Sequence, residues 1–154
     1  MTKALRIELP AELTAELLTG IDEIDCQHAY FLSLVRASSA LGEWSPGVKA
    51  KGLILEIARY AQSHFAFEET MMKVYDYPNS DEHVEEHARI LTSITTAMAS
   101  DPVNIAKLRL ELLRWLSSHI SLDDKQMARF IAKNRPSLGA MSAILCADCL
   151  RHSN

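Results

Sequence analysis

His64-Phe65-Ala66-Phe67-Glu68 sets an imidazole and a carboxylate four residues apart. On an α-helix, positions i and i+4 lie about 40° apart around the axis, so both side chains stand on one face. The same spacing returns in His83-Val-Glu-Glu-His87. A looser pairing closes Trp115-Leu-Ser-Ser-His-Ile-Ser-Leu-Asp-Asp124, where His119 precedes Asp123 by four residues and Asp124 by five. His28 stands alone in an earlier stretch, and the sixth histidine, His152, lies near the C-terminus.

Working outward from these pairs, helix-breaking residues divide the chain. Breaks fall at Gly42, Pro46 and Gly47, at Pro78 and Asn79, at Ser100, Asp101 and Pro102, and at Pro136 and Gly139. Between them the apolar periodicity predicts helices over about Ile21–Leu41, Val48–Val74, Asp81–Ala99 and Val103–Lys133. Ser80 reads as the N-cap of the third, with His83 at its third helical position. Asp101 followed by Pro102 reads as the start of the fourth. Four helices with short connections predict an all-α, up-down-up-down four-helix bundle. The expected bundle covers residues 20–134, preceded by an arm, 1–19, with a short helix from Ala11, and followed by a tail, 135–154.

Composition narrows the function. The 154 residues are 48% hydrophobic with only five Gly and five Pro, which favours long helices around one core. A net charge of −4 leaves no basic stripe for phosphates, so nucleic acid is not an expected partner. Met1–Leu18 intersperses charges among its apolar residues and lacks the apolar run of a secretory signal, and no stretch approaches the roughly 18 to 20 apolar residues of a membrane span. Three cysteines without a disulfide-scaffold arrangement suit a reducing cytoplasm. The expectation is a cytoplasmic protein without a membrane partner.

A histidine on an apolar helix face is usually an ordinary hydrogen-bonded core residue. Here three pairs fall on three helices and His28 on the fourth, so every helix offers an inward donor, as in cofactor sites built in bundle cores. Imidazoles with a few carboxylates suit iron. The rival carboxylate-rich di-iron bundle uses Glu-x-x-His, and no glutamate here stands three residues before a histidine. The bland reading of Glu68 and Glu69 is a solvated charge pair, which leaves the neighbouring inward Phe65 and Met72 unexplained. For His119, five residues is about 140° of rotation on an ideal helix, so Asp123 fits better unless a local π-type widening brings Asp124 onto the face. Spacing alone leaves both open.

Across residues 20–132 the chain resembles the hemerythrin family, bacterial members in particular. The resemblance is carried by Gly20-Ile-Asp-Glu-Ile-Asp-Cys-Gln-His28, His64-Phe-Ala-Phe-Glu-Glu69 with Met72, Tyr77-Pro78, His83-Val-Glu-Glu-His87 and Trp115 through Asp124. It implies Asp124 rather than Asp123 as ligand, and two iron ions per chain joined by a bridging oxo or hydroxo group. His83, His87 and His119 would hold one iron, His28 and His64 the other, with Glu68 and Asp124 bridging. The second iron then keeps an open position for dioxygen, bound reversibly for storage, delivery or sensing.

Such chemistry needs a dry pocket. Phe65, Trp115, Leu116 and Ile120, with Phe31 or Leu32, are its candidate walls, although each also reads as plain bundle core. No general base or nucleophile stands out, so the chain is not read first as an enzyme. The competing readings are a di-iron peroxidase or nitric-oxide-reducing enzyme, and an oxygen or redox signalling module. Unlike many bacterial relatives, Met1–Gly20 has no aromatic residue, which implies a more open end of the pocket. Cys26 should face away from His28 as a small packing residue. In the tail, Cys146-x-x-Cys149-x-x-His152 could be a redox pair, a partial zinc site or part of an amphipathic surface for a protein partner or self-association.

Overall fold

Buried side chains recur every three or four residues along each long segment, and that repeat builds the helices. Helix α1 (Asp22–Ala37) buries Ile24, His28, Phe31, Leu32 and Val35. Helix α2 (Val48–Val74) buries Ile54, Ile57, Ala61, His64, Phe65, Glu68 and Met72. Helix α3 (Ser80–Ala99) buries His83, His87, Ile90 and Ile94, and α4 (Ile105–His119) buries Leu108, Leu112, Leu116 and His119. A π-helical turn, Ile120–Asp124, joins α4 to α5 (Lys125–Asn134) with helical dihedrals on both sides, so the last helix runs on unbroken. The computed structural model describes residues 13–41, 44–45 and 48–134.

The arrangement is the expected all-α bundle. Helices adjacent in the chain pack on one another, and α4 closes the ring against α1. Its strands are two residues each: Trp44–Ser45 pairs antiparallel with Val103–Asn104, Trp44 opposite Asn104. That ladder corrects the expected start of the fourth helix. Val103 is fully buried and extended, so helix begins only at Ile105, and the cap is Asn104, whose side chain accepts from the Lys107 amide at 2.8 Å. Asp101 and Pro102 stay exposed ahead of it. Two other boundaries move slightly. Helix α3 takes in Ser80, with Asn79 before it, so His83 is its fourth residue; α1 ends at Ala37 and tightens into a 3-10 turn, Ser38–Ala40.

The expected short helix from Ala11 is, among the described residues, a 3-10 turn at Ala15–Leu17. It is tied down from both sides. Leu17 is buried, and the Lys125 ammonium donates to the Glu16 carbonyl, linking this turn to the start of α5. Asp25 accepts from the Thr19 amide and hydroxyl, both at 2.7 Å, and from the Gly20 amide at 3.1 Å. The chain enters α1 through Gly20 at φ +83, a region where a side chain would be strained. The rest of the expected arm and the tail with Cys146, Cys149 and His152 lie outside the described residues. Among the described residues no helix is long and apolar enough to cross a membrane.

Two apolar clusters fill the bundle. One gathers Phe31, Val35, Ile54, Ile57, Phe65, Ile94, Leu108, Leu112, Leu116 and Ile120; the other gathers Ile24, Met72, Tyr77, Met127 and Ile131. On α1 the break between them falls at His28, on α2 at Glu68, and on the last helix at Asp124. The polar residues therefore sit in core positions with apolar packing above and below.

Candidate metal centre

Seven polar side chains interrupt the core stripes, and none is more than 2% exposed: His28, His64, Glu68, His83, His87, His119 and Asp124. Burying so many ionisable groups is costly unless each finds a partner or an ion. They converge on one another. Glu68 and Asp124 each divide their two oxygens between two groups of imidazoles. Glu68 Oε1 lies 3.3 Å from His64 Nε2 and 3.8 Å from His28 Nε2, while Oε2 lies 3.2 Å from His87 Nε2 and 3.5 Å from His83 Nε2. Asp124 Oδ2 lies 3.1 Å from His28 Nε2, while Oδ1 lies 3.1 Å from His119 Nε2 and 3.2 Å from His83 Nε2.

That division separates two donor sets that share Glu68, with Asp124 reaching imidazoles of both. Glu68, His83, His87 and His119 present ligand atoms within 4.8 Å of one another, and so do His28, His64 and Glu68. The donors also carry unmet bonding capacity. Both oxygens of Glu68 and of Asp124, and Nε2 of His28, His64 and His83, are buried without a hydrogen-bond partner. His87 Nε2 and His119 Nε2 face each other at 3.2 Å. Inward-facing nitrogens and carboxylate oxygens in this state fit metal ions between them, and the donor chemistry, imidazole with carboxylate, fits iron.

Electrostatics in the metal-free cluster follow from the same contacts. Burial pulls His64 down to about 4, so it stays neutral. Burial also lowers His83 and His119, but the carboxylates facing them prevail and raise His83 to about 9 and His119 to about 10. Glu68 and Asp124 show the converse. Burial would raise both, yet the surrounding imidazoles hold Glu68 at about 2 and Asp124 well below the usual carboxylate range.

Three of the outward nitrogens face polar groups as well, while Nδ1 of His28 and of His83 is buried without a partner. His64 Nδ1 is 2.8 Å from Gln27 Oε1, and His87 Nδ1 is 3.2 Å from Glu69 Oε1. His119 Nδ1 lies 3.2 Å from Asp123 Oδ2, at an angle short of a formed hydrogen bond. The choice between Asp123 and Asp124 thus dissolves: the π turn lets both reach His119, the first at Nδ1 and the second at Nε2. Gln27 and Glu69 were not singled out by spacing as site residues, and Asp123, which spacing offered as a ligand, instead stands behind His119 at Nδ1. Each is the chain neighbour of an inward residue, and a polar group beside such a residue is the signal that points to an outer partner.

Of the expected pocket walls, Phe65 and Trp115 lie against the histidine rings. Phe65 stacks on His87 with centroids 3.9 Å apart and 6° between planes, and it also leans on His64 at 5.6 Å. Trp115 stacks on His119 at 4.4 Å and meets Phe65 edge-on at 5.6 Å. Leu116, Ile120, Phe31 and Leu32 are buried in the same apolar cluster. Cys26 is partly buried on α1 and outside the two donor sets.

Residues 19–131 match the family model of the hemerythrin HHE cation binding domain. The chain belongs to the hemerythrin family. Among its relatives is the bacteriohemerythrin of Stenotrophomonas maltophilia, 30% identical over 117 residues that cover 73% of this chain and 76% of the relative. The bacteriohemerythrin of Pseudomonas paraeruginosa is 31% identical over 113 residues, covering 71% and 73%. That of Campylobacter jejuni is 25% identical over 114 residues, covering 71% and 86%. Membership in this hemerythrin family agrees with the His/Glu cluster in assigning the bundle core to metal binding.

Proposed function

We propose that the chain holds two iron ions and binds dioxygen reversibly. The observation that carries the reading is the division of oxygens at Glu68 and Asp124, each carboxylate turning one oxygen to His28 or His64 and the other toward His83, His87 and His119. In this reading His83, His87 and His119 would hold one iron, His28 and His64 the other, and Glu68 and Asp124 would serve both. The set of His28 and His64 offers one protein ligand fewer, which would leave room for dioxygen. A ferrous pair held there would supply the two electrons that dioxygen takes on binding and returns on release.

The remaining work is done by the chain's apolar residues. Phe65, Trp115, Leu116 and Ile120 surround the imidazoles and exclude water and other protein molecules, the agents that turn reversible binding into irreversible oxidation. The Nδ1–H of His64 and of His87 donate outward to Gln27 and Glu69, which keeps each Nε2 lone pair turned to the centre.

The test is iron content together with the optical spectrum of anaerobic ferrous protein, exposed to air and purged again. Two irons per chain and a visible band that forms in air and disappears on purging would support the proposal. Permanent conversion to the ferric state would sink it and favour the peroxidase, nitric-oxide-reducing or signalling readings.

A further inference from the structure

The outer partners of the histidines differ in charge between the two donor sets. Behind the three-histidine set stand two carboxylates, Glu69 at His87 and Asp123 at His119. Behind the two-histidine set stands one neutral amide, Gln27 at His64, and each set also has one Nδ1 buried with no partner, that of His83 in the first and of His28 in the second. A carboxylate accepting the Nδ1–H of an imidazole raises the basicity of the opposite nitrogen and fixes the ring, and removing such a partner typically weakens metal binding about 10- to 100-fold. An amide acceptor fixes the ring but adds no charge.

We propose that Glu69 and Asp123 are positioning residues that make the two metal sites unequal: the three-histidine site binds its ion tightly and fills first, and the site of His28 and His64 holds a weaker, more exchangeable ion. The inference rests on the two-iron reading above. Geometry supports a role in tuning rather than in the architecture. The side chains of Glu69 and Asp123 are 41% and 36% exposed, so neither is a core packing element. Glu69 lines a surface cavity of about 450 Å³ with Met72, Tyr77 and Val84, which leaves room for an isosteric exchange. Gln27 is held by its own backbone, whose carbonyl accepts from the Tyr60 hydroxyl at 3.1 Å. The difference between the sets is therefore one of charge at otherwise comparable positions.

The experiment is titration of metal-free full-length protein with Co²⁺ under argon, followed by d–d absorption and calorimetry. Wild-type protein should take up two ions in two resolved steps. Glu69→Gln with Asp123→Asn, which keep shape and remove charge, should weaken the tighter step about 10- to 100-fold and leave the weaker one in place. Gln27→Glu should do the reciprocal, tightening the weaker step alone. Circular dichroism of each variant should match wild type. An unchanged titration in the double variant overturns the proposal, as does equal weakening of both steps. Uptake of fewer than two ions by wild-type protein overturns the two-iron reading itself, an outcome separable from the others because it needs no variant.

Discussion

His119 is contacted at both ring nitrogens and on its ring face. One nitrogen meets Asp124, the other meets Asp123, and its ring face is covered by Trp115. His119→Ala should therefore lose the three-histidine ion, read as iron per chain falling below two; retention of both irons with reversible oxygenation would refute the ligand assignment. Leu116, one turn earlier, is only 4% exposed and belongs to the apolar cluster that holds Phe65 and Ile120. Leu116→Ala should keep two irons and shorten the lifetime of the oxygenated spectrum, since a truncated buried leucine opens space in the apolar wall. An unchanged lifetime would remove Leu116 from the pocket.

At the scale of the element, the last helix shows what a local departure from α geometry achieves. In an ideal helix Asp124 would turn away from His119, and only the i→i+5 widening at Ile120–Asp124 brings both aspartates to one ring. The start of this helix offers a separate test. Asn104 caps α4 through the Lys107 amide, whereas Asp101 is exposed and ahead of the Val103–Asn104 strand. Asn104→Ala should cost about 1 kcal/mol and lower Tm by about 2–4 °C. Asp101→Ala should change stability by no more than about 0.5 kcal/mol. Thermal melts that reverse this order would return the cap to Asp101.

For the whole molecule, the centre lies between two apolar clusters and joins all the long helices, so metal occupancy and folding are linked. Ferrous iron at about 100 times the Kd of a site should add about 2.7 kcal/mol for the ion bound there, seen as a higher anaerobic Tm that falls again with a chelator. At a fixed iron concentration the size of the gain depends on pH. His83 and His119 have raised folded-state values, about 9 and 10, so their contribution to metal-free stability is full below about 6.5 and lost as pH rises through 9 to 10. Glu68 and Asp124 act oppositely, contributing above about 4 and losing it as pH falls, Glu68 at about 2 and Asp124 well below the usual carboxylate range. Metal must displace the histidine protons, so the difference in Tm between loaded and metal-free protein should widen from pH 6 to 8. A constant difference would show that these histidines bind metal without releasing protons.

Much of this was open to reading from the chain alone, because helical periodicity is a one-dimensional signal. Val48–Val74 was bounded to the residue by the breakers on either side, and the i,i+4 pairs at His64 and His83 fixed which residues share a face before any helix was packed. Family membership, too, was carried by those spacings. Tertiary structure alone decided the rest, for two physical reasons. Distances between helices have no imprint in local spacing, so the division of each carboxylate between two imidazole groups, and the stacking of Phe65 on His87, appear only once α2, α3 and α4 meet. Long-range pairing also overrides local preference: the strand contact with Trp44–Ser45 delayed the fourth helix past a plausible Asp-Pro start. The carboxylates behind His87 and His119 belong to the same class, for Glu69 read as a surface charge and Asp123 as a rival ligand until the rings they face were in place.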